Sequence, residues 1–274
     1  MKVERLFATL PAASEVATSL GPQPLPYTVS SGHTVLITGT GDLASVKLAM
    51  LGEAVHPVVT TSGRAALGVF LCRFDQASSG PHLELHLGAL ATAKPGAVIS
   101  DAPEAFLAAF ATHPDWGFLS LSLYNDDPGV VALNDEYFGL DAKLMAGEIS
   151  ISETRVEFEL THSDGTPLAR GQIARRKSPE LASIWRLARL MGWRAFLAAG
   201  RAPFAAAHVI NRKGSVLQAN RRALTLTSAD ERAVMRWQAK RDQMTLALPH
   251  DFQPKAMQHL NPFRFAYLHP DVAG

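Results

Sequence analysis

The chain has a single cysteine, Cys72, among 274 residues. One thiol cannot close a disulfide within the chain, nor build a multi-thiolate zinc or iron–sulfur site, so those classes are excluded. An excess of either charge is missing too. Lys and Arg number 26 and Asp and Glu 25, a formal +1, so no overall field recommends nucleic acid or an anionic membrane. No window approaches ~18 uninterrupted apolar residues, which speaks against a spanning helix. The opening Met1-Lys2-Val3-Glu4-Arg5 carries both signs of charge. Pro11, Ser14 and Glu15 then break the chain before an apolar run forms, unlike a secretory signal. These absences predict a cytoplasmic protein with no nucleic-acid or membrane partner, and they leave room for a homo-oligomer.

What is present describes a folded chain: 47% hydrophobic and 19% charged residues, too apolar and too evenly mixed for disorder. Residues 1–30 carry Pro11, Pro22, Pro24, Pro26 and Gly21 and are read as an extended arm rather than core. No linker or repeat divides the remainder, so 31–274 are expected to form one domain. His33–Thr38 reads as a strand, and from Ala65 onward a period of two predicts strands at Ala65–Phe74, His82–Ala91 and Phe118–Tyr124. Glu148–Ser152, Arg155–Thr161 and Leu168–Ala174 predict a meander turned at Ser163-Asp164-Gly165, with a late strand at Met244–Leu248. Helices are predicted at Asp42–Leu51 with Asp42 as cap, at Pro103–Thr112, at Pro179–Ala199 and at Asp230–Arg241. Short antiparallel strands with a few helices make an α+β domain around a large sheet or barrel.

Several patterns invite chemistry. On a strand, His82, Glu84 and His86 share one face, and two imidazoles with a carboxylate can bind zinc or iron. Leucines at 83, 85 and 87 make the same segment an ordinary half-buried strand, which is the favoured reading, so no metal site is assigned. Gly39-Thr40-Gly41 lacks the third glycine of a dinucleotide fingerprint, since position 44 is Ala44. Arg175-Arg176-Lys177 is a solvated strand edge without interleaved aromatics, and Ser62-Gly63 lacks a nucleophile elbow. In Asn134–Leu144, Lys143 follows a glycine turn amid carboxylates and aromatics. A desolvated lysine there could form a Schiff base, but spacing alone favours a surface lysine paired with Asp141 or Glu136.

The order of these segments resembles the acetoacetate decarboxylase-like superfamily. Its hallmark is a Gly-Arg-Glu triplet, a short aromatic stretch and Gly-x-Pro-Lys-Lys-Leu. Asn134-Asp135-Glu136 stands at the triplet and Gly139-Leu140-Asp141-Ala142-Lys143-Leu144 at the lysine motif. Upstream, Gly80-Pro81-His82-Leu83-Glu84 fits the family's Gly-x-Tyr-x-Glu. The likeness covers about 30–177, and 237–271 more loosely; the 179–199 helix has no place in it and is read as an insertion. It implies an antiparallel β-barrel around a small cavity, with peripheral helices, no cofactor, and a small-molecule ligand. The family's nucleophilic lysine falls on Ala142, its helper on Lys143, the triplet arginine on Asp135, and an upstream carboxylate on Val69.

An alanine cannot attack a carbonyl, so ordinary acetoacetate decarboxylation is not expected. The resemblance implies Lys143, Glu84 and Glu136 as catalytic residues and His82, Tyr137 and Phe138 as substrate contacts. Lys143 is expected inside an apolar barrel with Glu84 or Glu136 in reach, protonated and acting by charge on an anionic ligand. Three functions follow: a lyase-like enzyme (decarboxylase, aldolase or dehydratase type) for a small oxo-acid or related carbonyl compound, a non-catalytic ligand-binding or assembly protein, and metal chemistry on the His-x-Glu-x-His strand.

Overall fold

Segments that alternate apolar and polar residues become long strands, and pairing far along the chain decides where they end. The computed structural model describes residues 10, 12–202, 205–212 and 222–268. The first nine residues of the expected arm, and the end of the loosely matched 237–271 stretch, lie outside the described residues.

A hairpin of β1 (Ser14–Thr18) and β2 (Gly21–Leu25) precedes β3 (Tyr27–Gly41). Asp42 then caps α1 (Leu43–Ala49), its carboxylate accepting from the Ser45 backbone N–H at 2.7 Å. Short β4 (His56–Pro57) and β5 (Val59–Thr60) lead into the hairpin of β6 (Ala65–Ala77) and β7 (His82–Thr92). After β8 (Val98–Ile99) come α2 (Ala105–Thr112), β9 (Gly117–Asn125), α3 (Pro128–Ala132) and a π-helical turn, Leu133–Tyr137. The predicted meander is β10 (Ala142–Ile151), β11 (Arg155–His162) and β12 (Pro167–Ala174). Then follow α4 (Leu181–Met191), α5 (Trp193–Arg201), β13 (Ala205–Ile210), β14 (Arg222–Arg236), β15 (Gln243–Leu246) and β16 (Gln253–Tyr267).

Among the described residues, seven strands close a ring in the order β9-β13-β14-β16-β3-β6-β7 and back to β9. The edge of β9 away from β7 is shared: Phe118 and Leu119 pair with β13, and Leu123 to Asn125 with β10. From β10 hangs an open arm, β10-β11-β12-β15. The expected antiparallel order holds for most pairs, but β9 meets β10 and β13 in parallel, and β5 meets β8 likewise. No helix among the described residues is long and apolar enough to cross a membrane.

Two apolar clusters divide the faces of the ring strands. The first packs Val35, Ile37, Val69, Leu71, Leu85, Leu87, Leu119 and Met257 against Ile149, Val156, Phe158, Leu160 and Ile173 of the arm. The second gathers Tyr27, Val29, Cys72, Phe74, Leu123, Phe138, Leu140, Ala142, Phe263 and Tyr267. Irregular register around Ser31 lets β3 serve both: Tyr27 and Val29 join the second cluster, Val35 and Ile37 the first. At the Leu87/Gly88 irregularity, a Cβ on Gly88 would run into the Phe118 ring and sit 2.6 Å from the Leu119 carbonyl oxygen, so only glycine fits.

Three expectations need correction. The segment 25–30, read as arm, places Leu25, Tyr27 and Val29 in core, because each meets the apolar second cluster. Asp230–Arg241, read as helix, has its first half in β14. Its helix-forming residues are overruled by pairing with β16 over most of that strand. The single helix at Pro179–Ala199 is two helices, split where Gly192 adopts φ 78°.

Candidate functional site

Strand β7 puts His82, Glu84 and His86 on one face, opposite Phe74, Cys72 and Phe70 of β6; across the sheet, Glu84 and His86 face Asn125 and Leu123 of β9. The carboxyl of Glu84 sits among the side chains of the second cluster yet keeps partial accessibility. Asn125 Nδ2 donates to its Oε2 at 3.2 Å. Asn134 Nδ2 in turn donates to Asn125 Oδ1 at 3.0 Å. Asn134 stands first in the triplet, so the motif reaches Glu84 through an amide relay rather than through its glutamate. Burial pushes the Glu84 carboxyl up to about 7, and the Asn125 hydrogen bond, which favours the charged form, only partly opposes it.

The neighbours respond to the same desolvation. Burial and then the Glu84 charge raise Tyr27 and Cys72 well above their ordinary values, and raise Tyr267 similarly. His82 bridges this wall: Nδ1 lies 2.9 Å from the Gly80 carbonyl oxygen, and Nε2 lies 2.7 Å from the Tyr27 hydroxyl. A carbonyl only accepts, so Nδ1 carries the proton and Nε2 accepts from the Tyr27 O–H. His86 is fixed by the same logic. Ser120 Oγ donates to the Leu140 carbonyl at 2.8 Å, which leaves it to accept from His86 Nε2–H at 3.0 Å. Burial holds His86 down to about 3, and His82 below its ordinary range, so both rings are neutral near pH 7. With their nitrogens turned to separate partners, the two imidazoles do not converge on Glu84. Among the described residues no group of three His, Cys, Asp or Glu side chains is arranged to hold a metal.

The lysine motif follows strand alternation. Gly139 and Asp141 take φ 65° and 53°, turning the chain out of the π-helical turn, and β10 then begins. Ala142 points into the second cluster beside Leu123, Phe138 and Leu140. Lys143 points the other way, its side chain about half exposed (51%), with Nζ 3.2 Å from Asp141 Oδ2. Lys143 was expected inside the barrel; the structure puts it on the surface, because neighbours on a strand face opposite sides. Glu136 is half-buried and also lies away from Glu84's neighbours, its carboxylate accepting from the Ser19 hydroxyl and, at 2.8 Å, from the Ser19 backbone N–H, which hold it low. Phe138 is buried, its ring centroid 4.2 Å from that of Tyr267, and Tyr137 packs at the rim of the cluster.

The structure therefore gathers Glu84, His82, Phe138 and Tyr137 on one side of the sheet and leaves Lys143 and Glu136 outside. Tyr27, Cys72, Asn125, Asn134 and Tyr267 belong with Glu84, and the sequence marked none of them as a site residue. Asn125 opens the run Asn125-Asp126-Asp127-Pro128-Gly129, whose residue types signal a turn rather than a site. In it Asp126 accepts from the Leu83 N–H at 2.6 Å and Asp127 caps α3, while Asn125 itself ends β9, fully buried. A separate open concavity of about 580 Å³ lies on the arm, lined by Glu148, Glu157, Glu159, Arg170 and Gln172 among others, and holds none of these residues.

No family model matches the chain, and no curated protein matches it in sequence. Solved structures do match in fold. Acetoacetate decarboxylase from Legionella pneumophila superposes with a TM-score of 0.55 at 14% identity, covering 98% of this chain and 94% of that one. A second acetoacetate decarboxylase structure gives 0.53 at 10% identity, covering 89% and 86%. The enduracididine biosynthesis enzyme MppR complexed with pyruvate gives 0.52 at 10% identity, covering 94% and 96%. At these identities the likeness shows the fold alone: the closed ring of strands with its attached arm is an acetoacetate decarboxylase-like fold.

Proposed function

We propose that the chain binds a small oxo-acid or related carbonyl compound in a cavity beside Glu84 and moves a proton there, without imine chemistry. One observation carries this reading: a desolvated carboxyl with a pKa of about 7, held by an amide relay in an apolar surround. At neutral pH such a group is near half protonation and can both take and return a proton. Removing a proton from the carbon beside a carbonyl leaves the electron pair as an enolate, and the Asn125 amide, which has a second N–H, is the neighbouring donor for its oxygen. That MppR is solved with pyruvate supports a 2-oxo acid as the first ligand to try. Because Ala142 offers no amine, the family's Schiff-base step has no nucleophile at its motif position.

A second reading, a ligand-binding protein without catalysis, is favoured by the same alanine. Proton NMR of pyruvate in deuterium oxide separates the two. Enzyme-dependent loss of the methyl signal, abolished in Glu84→Gln, supports proton transfer; binding by calorimetry without exchange supports the second reading. A borohydride-trapped adduct on the wild-type chain would contradict both and restore an imine route.

A further inference from the structure

The even overall charge conceals a segregated one. Between Leu181 and Ala229 the sequence holds eight of its basic residues, Arg186, Arg189, Arg194, Arg201, Arg212, Lys213, Arg221 and Arg222, and not one Asp or Glu. The first four lie on α4 and α5. These helices pack inward through Leu187, Ala188, Met191 and Phe196 against Leu107, Ala108 and Val234. Their outer side is apolar where solvent should favour polar residues. Leu181 is 82% exposed, Trp185 61%, Trp193 50% and Leu197 49%, and α5 has no buried residue at all. Leu181, Trp185 and Arg189 follow one another at four-residue spacing, as do Trp193 and Leu197, so each helix presents a stripe. The Trp185 and Trp193 rings meet edge to face at 5.3 Å and join the two stripes into one ridge. Exposed Arg189, Arg194 and Arg201 flank it.

We propose that the α4–α5 pair lies in the interface of an anionic lipid membrane, with Leu181, Trp185, Trp193 and Leu197 among the acyl chains and the arginines on the phosphates. Tryptophan and leucine on one side of a short amphipathic helix, bordered by arginine, match a helix lying in the membrane plane rather than across it. Arginine stems lie along apolar surface while their guanidinium groups reach the headgroups. A second copy of the chain fits less well. A two-fold contact sets a patch against itself, and here it would bring Arg189, Arg194 and Arg201 toward their own copies. This surface is separate from the Glu84 cluster and stands whether or not that site is catalytic.

The test is flotation of the full chain with vesicles of phosphatidylcholine, alone or with one third phosphatidylglycerol. Binding is expected to the mixed vesicles, weak to phosphatidylcholine alone, and released by high salt. Trp185→Ser with Trp193→Ser, and separately Arg189→Gln with Arg194→Gln, should each weaken binding about tenfold or more. Leu48→Ser, an exposed leucine elsewhere, should leave it intact. If the tryptophan pair fails to fold, the arginine pair still decides. No binding to the mixed vesicles, or binding that survives both pairs, would overturn the proposal. So would a dimer in sedimentation velocity that the tryptophan variant dissociates, which makes a second copy the occupant.

Discussion

Ala142 and Lys143 are adjacent on β10, and their surroundings could hardly differ more. Ala142 packs with Leu123, Phe138 and Leu140 on the side where Glu84 is desolvated; Lys143 stands half in water, paired with Asp141. On the inner side, the polar groups around Glu84 are tied to one another and to the backbone: Glu84 by Asn125, Asn125 by Asn134, Tyr27 by His82, His82 by Gly80. On the outer side, Lys143 pairs with Asp141 two residues away, and such exposed pairs contribute little. A shift of one residue in a strand exchanges these two worlds. The inner position therefore carries a methyl group and no amine, and the amine at the next residue faces water.

The largest expected effect breaks that contrast directly. Ala142→Lys would force an ammonium into the second cluster, and urea unfolding should show a loss of roughly 3 kcal/mol or more, the scale for an uncompensated buried charge. If the fold survives, borohydride with pyruvate should trap an adduct on the variant and none on the wild type. An unchanged midpoint would mean that position 142 faces water.

Next in size is the pH dependence of stability. The folded Glu84 carboxyl, at about 7, lies above its unfolded value near 4.5. The native state therefore binds the proton more tightly, and Glu84's contribution, complete below about pH 4.5, is lost as pH rises toward 7, by at most about 3 kcal/mol. Histidines act in the opposite direction. His33 at about 4, and His86 and His259 at about 3, are held below their ordinary value by burial. Their contribution is present above about pH 6.5 and is lost as pH falls through the folded values. Subtracting the Glu84→Gln stability profile from that of the wild type should isolate the carboxyl's slope between about pH 4.5 and 7. Parallel profiles would show that Glu84 is not desolvated.

Asn125→Ala comes third. It unpairs Glu84 and Asn134 together and should cost about 1–3 kcal/mol in chemical denaturation. It should also raise the Glu84 pKa further, since the lost hydrogen bond favours the charged form. Lys143→Ala comes last, with a stability change within about 0.5 kcal/mol, because its ion pair is exposed. A large loss there would mean that the outer turn matters to the fold.

The uneven success of the sequence has the same physical origin. Local signals were plain: the alternation of His82–Ala91, the Asp42 cap and the Asp164-Gly165 turn. The direction of Lys143 follows from alternation alone once Ala142 is known to face in. Contacts distant in sequence were not legible. Tyr27 reaches His82 across 55 residues from a segment whose prolines suggested an arm, and its burial depends on the register change near Ser31. Asp230–Arg236 reads as helix until β16 is there to pair with it. Asn134 and Asn125, nine residues apart, gain meaning only when the π-helical turn brings one amide onto the other.

The central claim is that Glu84, not a lysine, is the chemically tuned group of this chain. Carbon-13 NMR titration of the glutamate carboxyls, with Glu84 assigned by loss of its signal in Glu84→Gln, tests it most directly. The account predicts a midpoint of about 7, moving upward in Asn125→Ala. A midpoint at the ordinary value near 4.5, insensitive to Asn125, would contradict it.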